Sequence, residues 1–358
     1  MYSYDSIKHV HLELTSKCNA RCPMCLRTLS GGKLNPQLPL TELNLDDIKK
    51  IFTPEFVKQL DRIYMCGNYG DPIAAKETLE IFQYFRSLSS TIRLEMFTNG
   101  SLKGKEWWVE LAKVVSLVHF SIDGLEDTNH LYRKGTQFPK IMENAEAYLG
   151  AGGRAFWDFI VFKHNEHQID EVKSLAEKMG FEKISIKKTG RFFSNERSKV
   201  KEQQEVLDLN GEVEYYLEMP DNVEYHNTSL QKEQALVERY GSLENYLNKT
   251  PVLCKVAKEK SLYISAEGLA FPCCWTGNQL YPWYFKERGS PIWKMIDELG
   301  GKSALSAIER PLQEIVEGPF FNQSLPDSWG KSSIKEGKLK VCAKTCGSEF
   351  DPFGDQFK

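Results

Sequence analysis

The sequence contains no apolar run of the roughly 18 residues that a membrane-spanning helix needs. Its start, "MYSYDSIKHVHLEL", has no basic segment leading into an apolar one, so it carries no secretory signal pattern. These absences predict a cytoplasmic chain with no membrane partner. Net charge is also nearly absent: 46 Lys and Arg against 49 Asp and Glu give −3, which removes any bulk electrostatic reason to bind nucleic acid. The short basic stretches "KKTGR" (187–191) and "RSKVK" (197–201) read as solvated surface. No internal repeat or low-complexity tract is present. With 358 residues, 41% hydrophobic, the chain is long enough for one elaborated barrel, or for a large domain and a smaller one.

What the chain does have is nine cysteines. A reducing compartment keeps thiols from pairing, so clustered cysteines there point to metal or to catalysis. One group is Cys18, Cys22 and Cys25; the other is Cys254, Cys273, Cys274, Cys342 and Cys346; Cys66 stands alone and reads as a small buried hydrophobe.

The first ~190 residues alternate strand-like and helix-like segments, the pattern of a parallel sheet. Strands are expected at 9–14, 62–67, 92–98, 117–123, 155–162 and 183–188, with helices such as 45–52, 76–88, 105–115 and 168–180 between them. Six such units make a partial (β/α)6 barrel, two units short of closure. Within the strands, Val10, Leu12 and Leu14 oppose His11, Glu13 and Thr15, and Val118, Phe120 and Ile122 oppose His119, Ser121 and Asp123. The apolar side belongs under the helices, which leaves a polar lumen suited to a polar ligand. Strand phase nominates His11, Glu13, Tyr64, Glu95, His119, Lys163 and Lys187 as lumen groups, although Glu13 could instead orient a loop and His119 could be a satisfied interior histidine. Residues 191–250 are polar with helical stretches and read as a helical bridge. Residues 251–358, rich in aromatics and turns, read as a smaller domain of short strands and loops, partly organised by metal.

Cys18-x3-Cys22-x2-Cys25 comes directly after the first strand at its carboxyl end, where barrel active sites lie. Three thiolates on one loop suit three corners of an iron–sulfur cubane and leave one iron open. A zinc ion with a distant fourth ligand is the alternative.

This spacing resembles the hallmark of the radical S-adenosylmethionine (radical SAM) superfamily. The likeness extends to "GNYGDP" (67–72) after strand 2, similar to a Gly-Gly-Glu-Pro stretch, to "TNG" (98–100) after strand 3, and to "SIDG" (121–124) at the end of strand 4. It spans ~190 residues with order and spacing kept. The resemblance implies a 4Fe–4S cluster on Cys18, Cys22 and Cys25, with S-adenosylmethionine chelating the open iron. It implies reductive cleavage to a 5′-deoxyadenosyl radical that abstracts hydrogen from substrate, and a reduced flavodoxin or ferredoxin-type electron donor. Carried over by position, Met24 lies beside adenine. Gly67, Asn68, Gly70 and Asp71 receive the methionyl ammonium, Thr98 and Asn99 lie nearby, and Ser121 and Asp123 reach the ribose. Asp71, one methylene shorter than Glu, departs from the pattern.

The second group, Cys254-x13-Gly268-x4-Cys273, resembles the start of SPASM and twitch extensions in that superfamily, with Gly268 at a hairpin turn. Five cysteines, where a full SPASM set has seven, imply one auxiliary 4Fe–4S cluster on Cys254, Cys273, Cys342 and Cys346, in a twitch-like domain. Cys274 is the alternative to Cys273, a zinc site is the alternative to the cluster, and the final Cys-x3-Cys departs from the expected Cys-x2-Cys. The substrate is a polar small molecule or a peptide; the roughly nine residues before strand 1 leave no room for a leader-peptide-binding domain, which weighs against the peptide. Other classes remain open: an iron–sulfur electron-transfer or sensor protein, a zinc-stapled binding module, or a molybdopterin-precursor type cyclase, whose Gly-Gly ending is missing here.

Overall fold

The computed structural model describes residues 1–192 and 201–351. Its centre is one sheet of eight strands in the order β10-β9-β1-β2-β3-β4-β5-β6. Strands β1 (His9–Leu12), β2 (Arg62–Met65), β3 (Arg93–Thr98), β4 (Leu117–Ser121), β5 (Ala155–Ile160) and β6 (Lys183–Lys187) follow chain order and are all parallel. The alternation in the sequence sets which way each strand faces. Val10, Leu12, Ile63, Met65, Leu94, Met96, Val118, Phe120, Trp157 and Phe159 are fully buried under the helices, and the intervening residues line the concave side. The helices at Thr78–Leu88, Lys105–Ala112, Phe138–Gly150 and Ile169–Met179 cover the outer face. Trp108 from the second of these packs on Phe120 of β4 and on Tyr148 of the third.

Two departures from expectation matter for the site. The segment 201–219 is no helix but an antiparallel hairpin, β7 (Gln203–Leu207) and β8 (Val213–Glu218). Its turn is closed by Asp208, whose carboxylate accepts the amides of Asn210, Gly211 and Glu212. Val206 and Leu217 on its inner face bury against Ala20 and Cys22 of the cysteine loop, and the Leu207 amide donates to Ser30 O at 2.9 Å. The hairpin is therefore a cover over that loop; the rest of the bridge is helical, at Ser229–Tyr240 and Leu243–Lys249. Residues 193–200 of the expected bridge lie outside the described residues.

The second departure is at the C-terminus. Strand β9 (Ser261–Ile264) pairs in parallel with β1, and β10 (Ala270–Phe271) returns beside it through a turn with Gly268 at φ 74°. The expected hairpin is there, but it extends the barrel sheet across the expected boundary at 251. The chain after β10 is mainly helical (Pro291–Glu298, Leu312–Val316, Leu325–Trp329, Lys340–Cys346), not a domain of short strands. Among the described residues no helix is long and apolar enough to cross a membrane.

Candidate functional site

The loop after β1 brings the first three cysteines to the carboxyl edge of the sheet. Ser16 Oγ donates to Pro39 O (2.6 Å), and the Cys25 amide donates to Cys22 O (3.0 Å), which curls the triplet into a compact turn. Hydrogen-bond donors are aimed at the sulfurs. The Ala20 amide lies 3.3 Å and Asn99 Nδ2 3.6 Å from Cys18 Sγ, and Arg133 Nη1 lies 3.8 Å from Cys22 Sγ. Burial pushes the Cys22 thiol up to about 11 despite the Arg133 charge, and raises Cys18 further. Thiols placed so ionise when a metal replaces the proton. Donors already directed at sulfur fit thiolate ligands of such a group.

The glycines of "GNYGD" are set by close packing. A Cβ on Gly70 would fall 1.8 Å from Thr15 O, and one on Gly67 1.8 Å from Gly70 O, so neither position admits a side chain. Glu13, at the end of β1, holds this turn: its Oε1 accepts the amides of Tyr69 (2.7 Å) and Gly70 (3.2 Å), and its Oε2 accepts the hydroxyl of Tyr263 on β9. Glu13 is thus a loop anchor and not a lumen group.

Nine residues were expected around S-adenosylmethionine, and all lie along this edge or on the loops next to it. Gly67, Asn68 and Gly70 form the turn. Ser121 ends β4 half-buried. Met24 is half-buried in the small core beneath the hairpin, and its carbonyl accepts Arg191 Nη1 at 3.0 Å. The other four are already engaged. Asp71 accepts Thr98 Oγ1 (2.8 Å), the Asn99 amide (2.7 Å) and the Ile73 amide (3.2 Å), while the Asn99 side chain reaches Cys18. Asp123, fully buried, accepts Arg133 Nε (2.5 Å) and the Ile160 amide (2.6 Å). The two carboxylates thus tie the strand ends together.

The concave side is aromatic with one charged cluster. His11 stacks on Tyr64 and its Nε2 donates to Cys66 O, and burial takes the ring down to about 4, so it is neutral. His119 on β4 and Lys187 on β6 converge on Asp158 of β5, which strand phase did not nominate; it is the one charge in the apolar run "AFWDFIVF". Two nominated groups lie elsewhere. Glu95 is fully buried in an ion pair with Arg62 and Arg93 at the floor, and Lys163 is half-exposed beyond β5, paired with Glu218 and Asp221. Arg133 was also missed, because "HLYRKGT" reads as a surface loop.

In the second group, Cys254, Cys273, Cys342 and Cys346 line one cavity, with Trp275 and Trp329 among its walls. Cys342 and Cys346 lie one turn apart on the helix Lys340–Cys346, which accounts for the x3 spacing: residues four apart share a face. Cys274 is outside the lining and packs against the barrel core. Among the described residues no three His, Cys, Asp or Glu side chains gather closely enough for a single metal ion.

Comparison with known proteins bears on the domain that carries this site. The profile of the Radical SAM superfamily matches residues 12–178, from β1 to the helix before β6. The tungsten-containing aldehyde ferredoxin oxidoreductase cofactor-modifying protein of Pyrococcus furiosus is 32% identical over 133 residues, 36% of this chain and 34% of that protein. The chain thus matches about a third of the length of that curated relative. Among solved structures, anSMEcpe with bound AdoMet superposes with a TM-score of 0.54 at 14% identity, over 98% of this chain and 87% of that one. SuiB of Streptococcus suis bound to its precursor peptide SuiA gives 0.54 at 13% identity, over 98% and 76%. At such identities these structures speak for the fold: the α/β partial barrel is theirs too. Residues 12–178 thus match the profile of the radical SAM superfamily, a family that implies a 4Fe–4S cluster and S-adenosylmethionine.

Proposed function

We propose that the protein reductively cleaves S-adenosylmethionine at a cluster held by Cys18, Cys22 and Cys25, and uses the product to modify a polar substrate in the barrel lumen. The observation that carries this reading is the triplet itself, with the donors of Ala20, Asn99 and Arg133 turned to its sulfurs at the edge of a radical SAM domain. When bound there, cluster and cofactor supply a 5′-deoxyadenosyl radical that removes a hydrogen atom from substrate, and a reduced flavodoxin or ferredoxin-type protein supplies the electron. The chain's own residues position and exclude water. Glu13 fixes the Gly67–Gly70 turn, Asp71 and Asp123 lock the strand ends, and the β7–β8 hairpin covers the loop.

We assign the four thiols of the second cavity to one auxiliary 4Fe–4S cluster. Sulfurs that share a cavity without gathering for one ion suit a cubane better than zinc. Four protein ligands leave no open iron, so this cluster accepts or relays electrons and does not bind substrate. A peptide is one substrate class in view, since SuiB and anSMEcpe have each been solved with a peptide bound.

The test is 5′-deoxyadenosine release from S-adenosylmethionine by anaerobically reconstituted, dithionite-reduced protein, with the Cys18→Ala/Cys22→Ala/Cys25→Ala variant beside it. Release by the wild type alone is expected. Release by the triple variant would sink the assignment, and a colourless, zinc-loaded wild type would favour a stapled binding module.

A further inference from the structure

His119 has a ring whose faces are occupied. Phe97 lies parallel to it at 3.9 Å between centroids and Phe156 meets it edge-on at 5.1 Å. The ring plane is therefore fixed, and what the residue can do depends on its two nitrogens. Nδ1 is buried and lies 3.5 Å from Asp158 Oδ2, a contact at the long end of hydrogen bonding; the same oxygen is 2.7 Å from Lys187 Nζ. Among the described residues no protein group pairs with Nε2. The side chain retains 13% of its surface exposed, while Val118 and Phe120 on either side of it are fully buried beneath the helices. The exposure therefore opens into the lumen.

Asp158 decides which nitrogen carries the proton. Burial alone would raise its carboxyl, but the nearby His119 Nδ1 and the Lys187 charge bring it below its ordinary value. A carboxylate only accepts, so the imidazole meets it with Nδ1–H and the lone pair is left on Nε2. A satisfied interior histidine would have both nitrogens paired. The remaining titratable groups of the lumen are otherwise committed. His11 on β1 donates to Cys66 O, Lys187 on β6 pairs with Asp158, and burial keeps the Tyr64 hydroxyl on β2 and the Cys66 thiol just after that strand protonated, the thiol pushed up to about 12.

We propose that His119 is the proton acceptor of the lumen, with Asp158 as its positioning residue, and that the substrate carries a hydroxyl, amine or thiol on the carbon that loses hydrogen. This rests on the radical reading above. A group H–C–X–H gives the carbon-bound hydrogen atom to the 5′-deoxyadenosyl radical, the X–H proton to His119 Nε2, and one electron to an iron–sulfur cluster. The product is C=X, and the three losses add up to a two-electron dehydrogenation.

Two readouts on the oxidised, cluster-loaded protein test this without knowing the substrate. In 15N-histidine NMR, with His119→Gln to assign the signals, His119 is expected to show protonated Nδ1 and bare Nε2, and to lose that preference in Asp158→Asn. With diethyl pyrocarbonate near neutral pH and peptide mapping, His119 is expected to be acylated alongside the exposed His130, while His11 is spared. An Nε2–H tautomer, or a His119 that stays unmodified when His130 reacts, overturns the proposal. Failure of the enclosing reading looks different. Wild-type protein that releases no 5′-deoxyadenosine defeats the radical chemistry whatever the tautomer, and protein that releases it with a closed His119 defeats only the proton acceptor.

Discussion

Glu13 and Tyr263 are 250 residues apart in sequence, yet the Tyr263 hydroxyl donates to the Glu13 carboxylate whose other oxygen holds the Tyr69 and Gly70 amides. One side chain thus joins the turn assigned to S-adenosylmethionine to β9, the strand that leads to Cys273. The carboxylate is acceptor-only and receives three donors. Glu13→Ala leaves all three without an acceptor. That change is expected to cost about 1–3 kcal/mol of stability, the usual penalty for an unsatisfied buried polar group. Affinity for S-adenosylmethionine should weaken with it; equilibrium binding and thermal unfolding check both. Tyr263→Phe, which only removes one donor, should be milder in binding.

The same carboxyl gives a pH dependence. Burial raises Glu13 from 4.5 to about 7, against the hydrogen bonds of Tyr263 and of the Tyr69 and Gly70 amides. The folded state therefore binds this proton more tightly than the unfolded chain does. Its contribution is complete below about pH 4.5 and is lost as pH rises through 7, a difference of about 3 kcal/mol at 1.36 kcal/mol per unit. Anaerobic unfolding followed across this range should show the wild type losing stability relative to Glu13→Gln. Parallel curves would mean that Glu13 does not titrate there.

Much of this architecture is legible in the sequence. Period-two alternation locates six parallel strands to within a few residues, and the helical spacers give the class. The β7–β8 hairpin is misread because its charges hide the same alternation. In "QQEVLDLNGEVEYYLE" the Asn210-Gly211 step is a turn signal, but Val206, Tyr215 and Leu217 gain their apolar surroundings only from the distant cysteine loop. The pairing of β9 with β1 is a contact across more than 250 residues and leaves no local trace. Motifs gave position but not orientation. "GNYGD" and "SIDG" put Asp71 and Asp123 at the right edge, while their hydrogen bonds, which depend on Thr98, Asn99 and Arg133, turn them inward.

Cys273 and Cys274 are adjacent, yet the backbone sends them to different places: Cys273 lines the cavity with Cys254, Cys342 and Cys346, and Cys274 packs on the barrel. Cys273→Ala should lose about half of the iron, roughly four of eight atoms if both clusters are 4Fe–4S, while Cys274→Ala keeps it. Iron and sulfide analysis with visible absorption distinguishes them. Equal loss in both variants would mean that the ligand assignment is wrong.

Arg133 and Asp123 form a buried ion pair directly behind Cys22, with 16% of the Arg133 side chain and none of the Asp123 side chain exposed. Burial raises the Asp123 carboxyl, and chiefly the guanidinium and the Ile160 amide oppose this, so removing Arg133 strands a charge. Arg133→Met is expected to cost about 3–5 kcal/mol, the penalty of an uncompensated buried ion. Arg133→Lys should recover only part of it, because an ammonium cannot span Asp123 and Cys22 as the planar fork does. The double variant Asp123→Asn/Arg133→Met removes the stranded charge and should be more stable than Arg133→Met alone. It still leaves the Cys22 sulfur without its donor. Stability and cluster properties are therefore expected to separate: the double variant regains unfolding temperature, while its cluster keeps the more negative reduction potential that results from losing the hydrogen-bond donor of a ligand thiolate. A double variant that restores both would assign Arg133 to the fold alone.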